Sequence, residues 1–143
     1  MDILTYVNDV VNASKYTPDP HNIWKAPEEF LEDGGGDCED FAIMKYHLLK
    51  GLVQNLKIAF VLISGDRGKQ AHMVCLARNL VLDNNAVDLI PEVDYPGEFV
   101  WAVDDVNLYM YDFTTGFWDA VAPSRTVKRW AEVMQKVGGV NRS

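Results

Sequence analysis

The chain has 143 residues, 48% of them hydrophobic, with a formal net charge of −8 and a sequence pI of about 4.7. That length is one ordinary domain, residues 1–143, able to bury a core without staples. The acidity argues against a nucleic-acid or anionic-membrane partner, no apolar run approaches the ~18 residues of a transmembrane helix, and two cysteines build no disulfide framework.

Ile3, Leu4, Tyr6, Val7, Val10 and Val11 recur at helical spacing, which predicts an amphipathic helix over residues 2–13. The N-terminal MDILTYVNDVVNASK shows no basic leader ahead of an apolar core, so a cytoplasmic protein is expected, or a periplasmic one if this is a processed form. Tyr16 to Ala26 contains Pro18 and Pro20 and reads as loop. Pro27 then opens a short helix to Glu32, with Glu28 and Glu29 in its first turn. Three glycines, Gly34 to Gly36, stop it. Asp37 is a strong N-cap, and the apolar run behind it predicts a buried helix from Cys38 to about Val53.

From Lys57 the pattern becomes strand-like. Strands are expected at Lys57 to Ser64, Ala71 to Ala77, Leu80 to Asp83, Phe99 to Val103 and Leu108 to Phe113. Gly65-Asp66-Arg67-Gly68 and Arg78-Asn79 are turns, Val87 to Glu98 is a crossing loop, and Gly116-Phe117-Trp118 is a turn. Pro123-Ser124 opens a last helix, Arg125 to Val137. Helices first and strands after argue an α+β fold with an antiparallel sheet.

Cys38 sits where a nucleophile belongs, since free N–H groups and the macrodipole at a helix start favour a thiolate. Its neighbours Asp37, Glu39 and Asp40 oppose that charge. A thiol peptidase also needs an imidazole base and a group that fixes its tautomer. Of the histidines, His47 lies nine residues along the Cys38 helix, about 13 Å away, and cannot reach. His21 lies in the Pro-rich loop, where nothing positions it. His72 is on a strand. If the turn is symmetric about Arg78-Asn79, Val74 faces Asp83, and His72 becomes a diagonal neighbour of Asp83 on the same face, ~7 to 8 Å between backbones. A one-residue slip would part them. Cys75 alternates with Met73 and Ala77 as a core thiol.

IWKAPEEFLEDGGGDCEDFAIMKYHLL, AHMVCLA and LVLDN, with VNDVVN upstream and FTTGFW downstream, together resemble the bacterial transglutaminase-like cysteine peptidases, whose best-known type is LapG-like. The resemblance spans about residues 5 to 120. It implies a papain-like or transglutaminase-like core, in which N-terminal helices and a nucleophile helix pack on an antiparallel sheet. It also implies a Cys38-His72-Asp83 triad, and calcium bound through Asp37 and Glu39 with Asp40 as neighbour. LapG-type members are exported proteases that cleave a large surface adhesin. This chain has a more compact Gly65–Gln70 loop and a shorter Ala71–Asp83 hairpin, so that substrate does not carry over, and a cytoplasmic or phage-encoded protein is expected.

The expectation is therefore a cysteine peptidase acting on a protein substrate through a thioester. Oxyanion donors would be the Cys38 N–H and a second upstream group, with Trp24 and Asn22 as candidates. Acyl transfer to an amine, amide hydrolysis, and a non-catalytic acidic binding or inhibitory domain are the alternatives, and the oligomeric state is open.

Overall fold

A computed structural model describes residues 2–18 and 23–140 of the chain, the side chains of 138–140 excepted. Among the described residues four α-helices pack on one face of a seven-stranded antiparallel sheet. Helix α1 spans Ile3–Asn12 and buries Leu4, Val7, Asn8 and Val11. Helix α2 spans Pro27–Asp33; Glu29 Oε1 accepts the Ala26 N–H at 2.9 Å, and Gly34, at φ 76°, ends it in the left-handed conformation.

Helix α3, Cys38–Leu49, is the axis of the molecule, with Glu39 through Tyr46 all buried. It stops four residues before the expected Val53, because Lys50 leaves the helical region and Gly51 turns the chain at φ 81°. Around it α1, α2 and the sheet close the main core, which includes Phe30, Phe41, Ile43, Met73, Cys75 and Trp130.

The large sheet consists of β3 (Lys57–Gly65), β4 (Gly68–Ala77), β5 (Leu80–Leu82), β6 (Ile90–Pro91), β7 (Glu98–Val103), β8 (Asn107–Asp112) and β9 (Phe117–Pro123), in the order β6-β5-β4-β3-β7-β8-β9. Odd-numbered residues of β4, Met73, Cys75 and Ala77, face the helices. Val74 and Leu76 face away, into a second cluster with Val61, Val81, Tyr95 and Phe99. The β4–β5 turn places Arg78 and Asn79 at φ 53° and 65°, the geometry of a two-residue hairpin. The register that follows pairs Ala77 with Leu80, Leu76 with Val81 and Cys75 with Leu82.

Three expectations need correction. Residues 117–123 form a strand rather than a turn leading straight to a helix; β9 is an edge strand with mostly exposed residues, so no burial alternation marks it. Helix α4, Lys128–Val140, starts three residues late because Ser124–Thr126 forms a 3-10 turn first. The glycine run is also a strand: β1 (Lys15–Tyr16) pairs in parallel with β2 (Gly35–Gly36). An added Cβ on Gly35 would lie 1.9 Å from the Lys15 carbonyl oxygen, which is why glycine is needed there.

Candidate active site

Two glycines and two aspartates shape the start of α3. Asp37 is the N-cap, and its N–H donates to Asp40 Oδ2 at 3.1 Å in a reciprocal capping box. The other oxygen of Asp40 accepts the Lys25 N–H at 2.7 Å. Asp40 is fully buried, and both its oxygens are taken by main-chain donors. It is therefore a cap that ties the preceding loop to the helix.

Cys38 follows as the first residue of α3, so its N–H lies outside the intrahelical ladder. The backbone N–H of Met73, the residue after His72, lies on the side of the sulfur and lowers the thiol pKa. The topology explains this placement. Ala77 and Leu80 flank the hairpin turn as a hydrogen-bonded pair, so the N–H groups of Cys75 and Met73 point the same way, toward β5. The β5 ladder ends at Cys75, which leaves the β4 edge at Met73 open for the sulfur.

His72 and Asp83 lie on the sheet face away from the helices, 8% and 5% exposed, and His72 Nε2 meets Asp83 Oδ1 at 2.7 Å. Asp83 Oδ1 also accepts the Asn85 N–H at 2.9 Å, and Oδ2 accepts the Tyr95 hydroxyl at 2.8 Å. Burial alone would raise the Asp83 pKa; the hydrogen bond and charge of His72, with the Asn85 and Tyr95 donors, outweigh it and hold the carboxyl below its ordinary range. An ionised carboxylate only accepts, so Nε2 of His72 donates to it, and in the neutral ring Nδ1 is the acceptor.

The remaining charges oppose a thiolate. Burial first, then the charge of Glu39, pushes the Cys38 thiol up to about 12, and Sγ donates to Glu39 Oε2 at 3.3 Å. Burial and a hydrogen-bonded contact with Glu39 push Asp37 up to about 7. Asp37 Oδ1 is buried without a partner. Two facing carboxylates, one with an unsatisfied oxygen, are hard-oxygen donors of the type a divalent cation takes. Among the described residues no group of three or more His, Cys, Asp or Glu converges as a metal site.

Several other candidates are placed plainly. Trp24 packs in the helix-side core, and its carbonyl accepts Lys136 Nζ at 3.3 Å. Asn22 and His21 lie outside the described residues. His47 stacks against Trp130, and burial pushes it down to about 4. Cys75 is a fully buried core thiol.

Sequence reasoning missed Tyr95, which sits in the segment read as a crossing loop. It also missed what the first helix does: Asn12 Nδ2 holds the Asp83 carbonyl at 3.0 Å, and Asn8 Nδ2 holds that of Ala86 at 3.2 Å. Two asparagines four apart on an otherwise apolar helix face were a legible signal of that task.

Residues 1–105 match the family described as bacterial transglutaminase-like cysteine proteinase. The chain belongs to that family. Its fold agrees with that of LapG from Legionella pneumophila: the calcium-bound form matches with a TM-score of 0.76 at 28% identity, covering 94% of this chain and 78% of LapG. The EGTA-treated form matches equally, at 0.76 and 28%, covering 93% and 76%. No curated protein sequence matches the chain. As a transglutaminase-like cysteine protease it acts on a protein substrate.

Proposed function

We propose that Cys38, His72 and Asp83 form the catalytic triad of this protease. The observation that carries the reading is the 2.7 Å contact of His72 Nε2 with Asp83, on the strand whose next residue, Met73, turns its N–H to the open edge beside Cys38. His72 Nδ1 takes the thiol proton, and the thiolate attacks the carbonyl carbon of the scissile peptide. The oxyanion that forms faces the Cys38 N–H. Collapse breaks the C–N bond, His72 returns the proton to the leaving amine, and a thioester remains. Water, deprotonated by His72 Nδ1, attacks the thioester; the carboxylic acid leaves and Cys38 regains its proton. Asp83 fixes the tautomer and stabilises the imidazolium throughout.

Asp37 and Glu39 would hold calcium, the cation present in one of the matching LapG structures. A bound divalent charge would offset the two carboxylates that raise the Cys38 thiol. The supporting observations in this chain are the buried, partnerless Asp37 Oδ1 and the Glu39 carboxylate that helps to raise the Asp37 pKa.

The test is a comparison of new protein N-termini in lysates of the native cell treated with the wild type or with Cys38→Ala, each in calcium and in chelator. New termini that appear only with the wild type support the peptidase reading. Identical termini with both proteins overturn it. For calcium, melting midpoints should differ by several degrees between calcium and chelator, and Asp37→Asn with Glu39→Gln should abolish the difference; a wild type with identical melts sinks the metal proposal.

A further inference from the structure

Strands β7 and β8 pair at Val103 with Leu108, Ala102 with Tyr109 and Trp101 with Met110, and then part, although β7 extends to Glu98 and β8 to Asp112. A bulge bends β7 at that point. Phe60 of β3 faces Trp101 and Val61 faces Phe99, so Val100 is the extra residue. A cleft of about 630 Å³ opens in the split, within the size range of sites that enclose a small ligand. Phe99, Val100 and Tyr111 line it from the two strands, Phe113 from the turn after β8, and Val93 and Tyr95 from the segment that crosses the sheet. Val93 and Phe113 are 92% and 88% exposed, an apolar rim standing in solvent. The charged part of the lining is Glu92 and Glu98, with no cation, and Glu98 is held by Lys69 at 2.9 Å. Such a lining repels an acidic side chain and suits a large apolar one.

The cleft is joined to the candidate triad twice. Val61 of β3 faces His72 on one side and Phe99 on the other, so His72, Val61 and Phe99 form one row across three strands of the far face. Two strand spacings, about 10 Å, separate the ends of that row. Tyr95 spans the same gap: its hydroxyl donates to Asp83 Oδ2 at 2.8 Å, and its ring stacks on Phe99 with 5.5 Å between centroids. Gly97 leaves room for the ring, since an added Cβ would lie 2.6 Å from it. We propose that the β7–β8 cleft is a substrate subsite of the protease, taking a large apolar side chain of the extended polypeptide that lies across His72. An extended chain advances about 3.3 Å per residue, so that side chain stands about three residues from the scissile bond. The inference rests on the triad reading and adds to it a feature of the substrate.

The test has two readouts, one of which needs no turnover. A random peptide library is panned on the full chain carrying Cys38→Ala, and a selected peptide is titrated into that protein while the Val93 and Val100 methyls are followed by NMR. The same library is digested with the wild type in calcium, and residue frequencies are counted on both sides of the new termini. The expected result is selected peptides with a large apolar residue, shifts of both methyls, and enrichment of such residues at one position about three from the cleaved bond. Val93→Asp and Phe113→Asp replace exposed side chains, so the fold should survive them. Each should weaken binding of the selected peptide and lower, by about tenfold, the kcat/KM ratio for Phe over Ala at that position. Methyls that do not shift, cleaved peptides with no apolar preference, or an unaltered ratio in both variants overturns the proposal. Cleavage with a flat profile removes the subsite and leaves the peptidase reading standing. Shifted methyls without any cleavage do the reverse: the peptidase reading fails and the apolar peptide cleft stands.

Discussion

Asp83 is buried and charged, and three donors keep it so: His72, the Asn85 N–H and the Tyr95 hydroxyl. Tyr95→Phe removes one donor and leaves Oδ2 enclosed without a partner, which costs about 1–3 kcal/mol. Because the folded Asp83 pKa lies below its unfolded value of 3.8, the stability it contributes is present above that pH and disappears as pH falls through the folded pKa. The Tyr95→Phe deficit in urea unfolding should therefore be full at neutral pH and shrink under strong acid; a deficit independent of pH would mean that the ring, not the hydroxyl, matters. At the sulfur the sign is opposite. Glu39 raises the Cys38 thiol, so Glu39→Gln in chelator should speed iodoacetamide alkylation of Cys38 near neutral pH, by about tenfold for each unit by which the thiol pKa falls. Mass spectrometry of the labelled peptide measures it, and an unchanged rate would show that burial alone holds the thiol up. The pairing of His72 with Asp83 was legible because a two-residue turn fixes register, and register fixes faces. Tyr95 was not, because a loop has no period from which a long-range contact can be read.

The start of α3 shows what an element asks of its surroundings. Gly36 packs so closely on the cap that an added Cβ would lie 2.5 Å from Asp40 Oδ2. Gly36→Ala should therefore displace the Asp40 carboxylate, loosen the Lys25 loop and the first turn of α3, and lower stability by about 1–3 kcal/mol, read as a reduced midpoint in urea. An unaltered midpoint would show that the cap can move at little cost. The caps also carry a pH signature. Asp37 and Asp40 are both pushed up to about 7, chiefly by burial, from 3.8. Between those values the folded state binds more protons than the unfolded one, so their contribution is full below about pH 4 and is lost as pH rises through about 7. Melting scans in chelator should show that decline, and Asp37→Asn should flatten it. Sequence signals gave the N-cap, because Asp before an apolar run has a local cause. They did not give the β1–β2 pair, because Gly35 is dictated by the carbonyl of Lys15, twenty positions away, and no local pattern records such a contact.

At the scale of the whole molecule the sheet separates two tasks. Its helix-side face holds the main core, and its far face holds His72, Asp83 and Tyr95 with a smaller cluster. The sulfur reaches β4 from the edge, where the β5 ladder has ended. Lys45 belongs to the helix side, fully buried and without a hydrogen-bond partner on Nζ. Its pKa is pushed down to about 8 from 10.5 by burial. Below about 8 the folded chain carries the full cost of the enclosed charge; between about 8 and 10.5 the unfolded state binds the extra proton, so stability should rise with pH across that window. A shift of that size corresponds to about 3 kcal/mol. Lys45→Met should therefore melt higher than the wild type at neutral pH, by up to that amount, and should lose the alkaline rise. Thermal scans from neutral to alkaline pH measure both effects. A variant that melts no higher and keeps the alkaline rise would show that the buried ammonium carries no such cost.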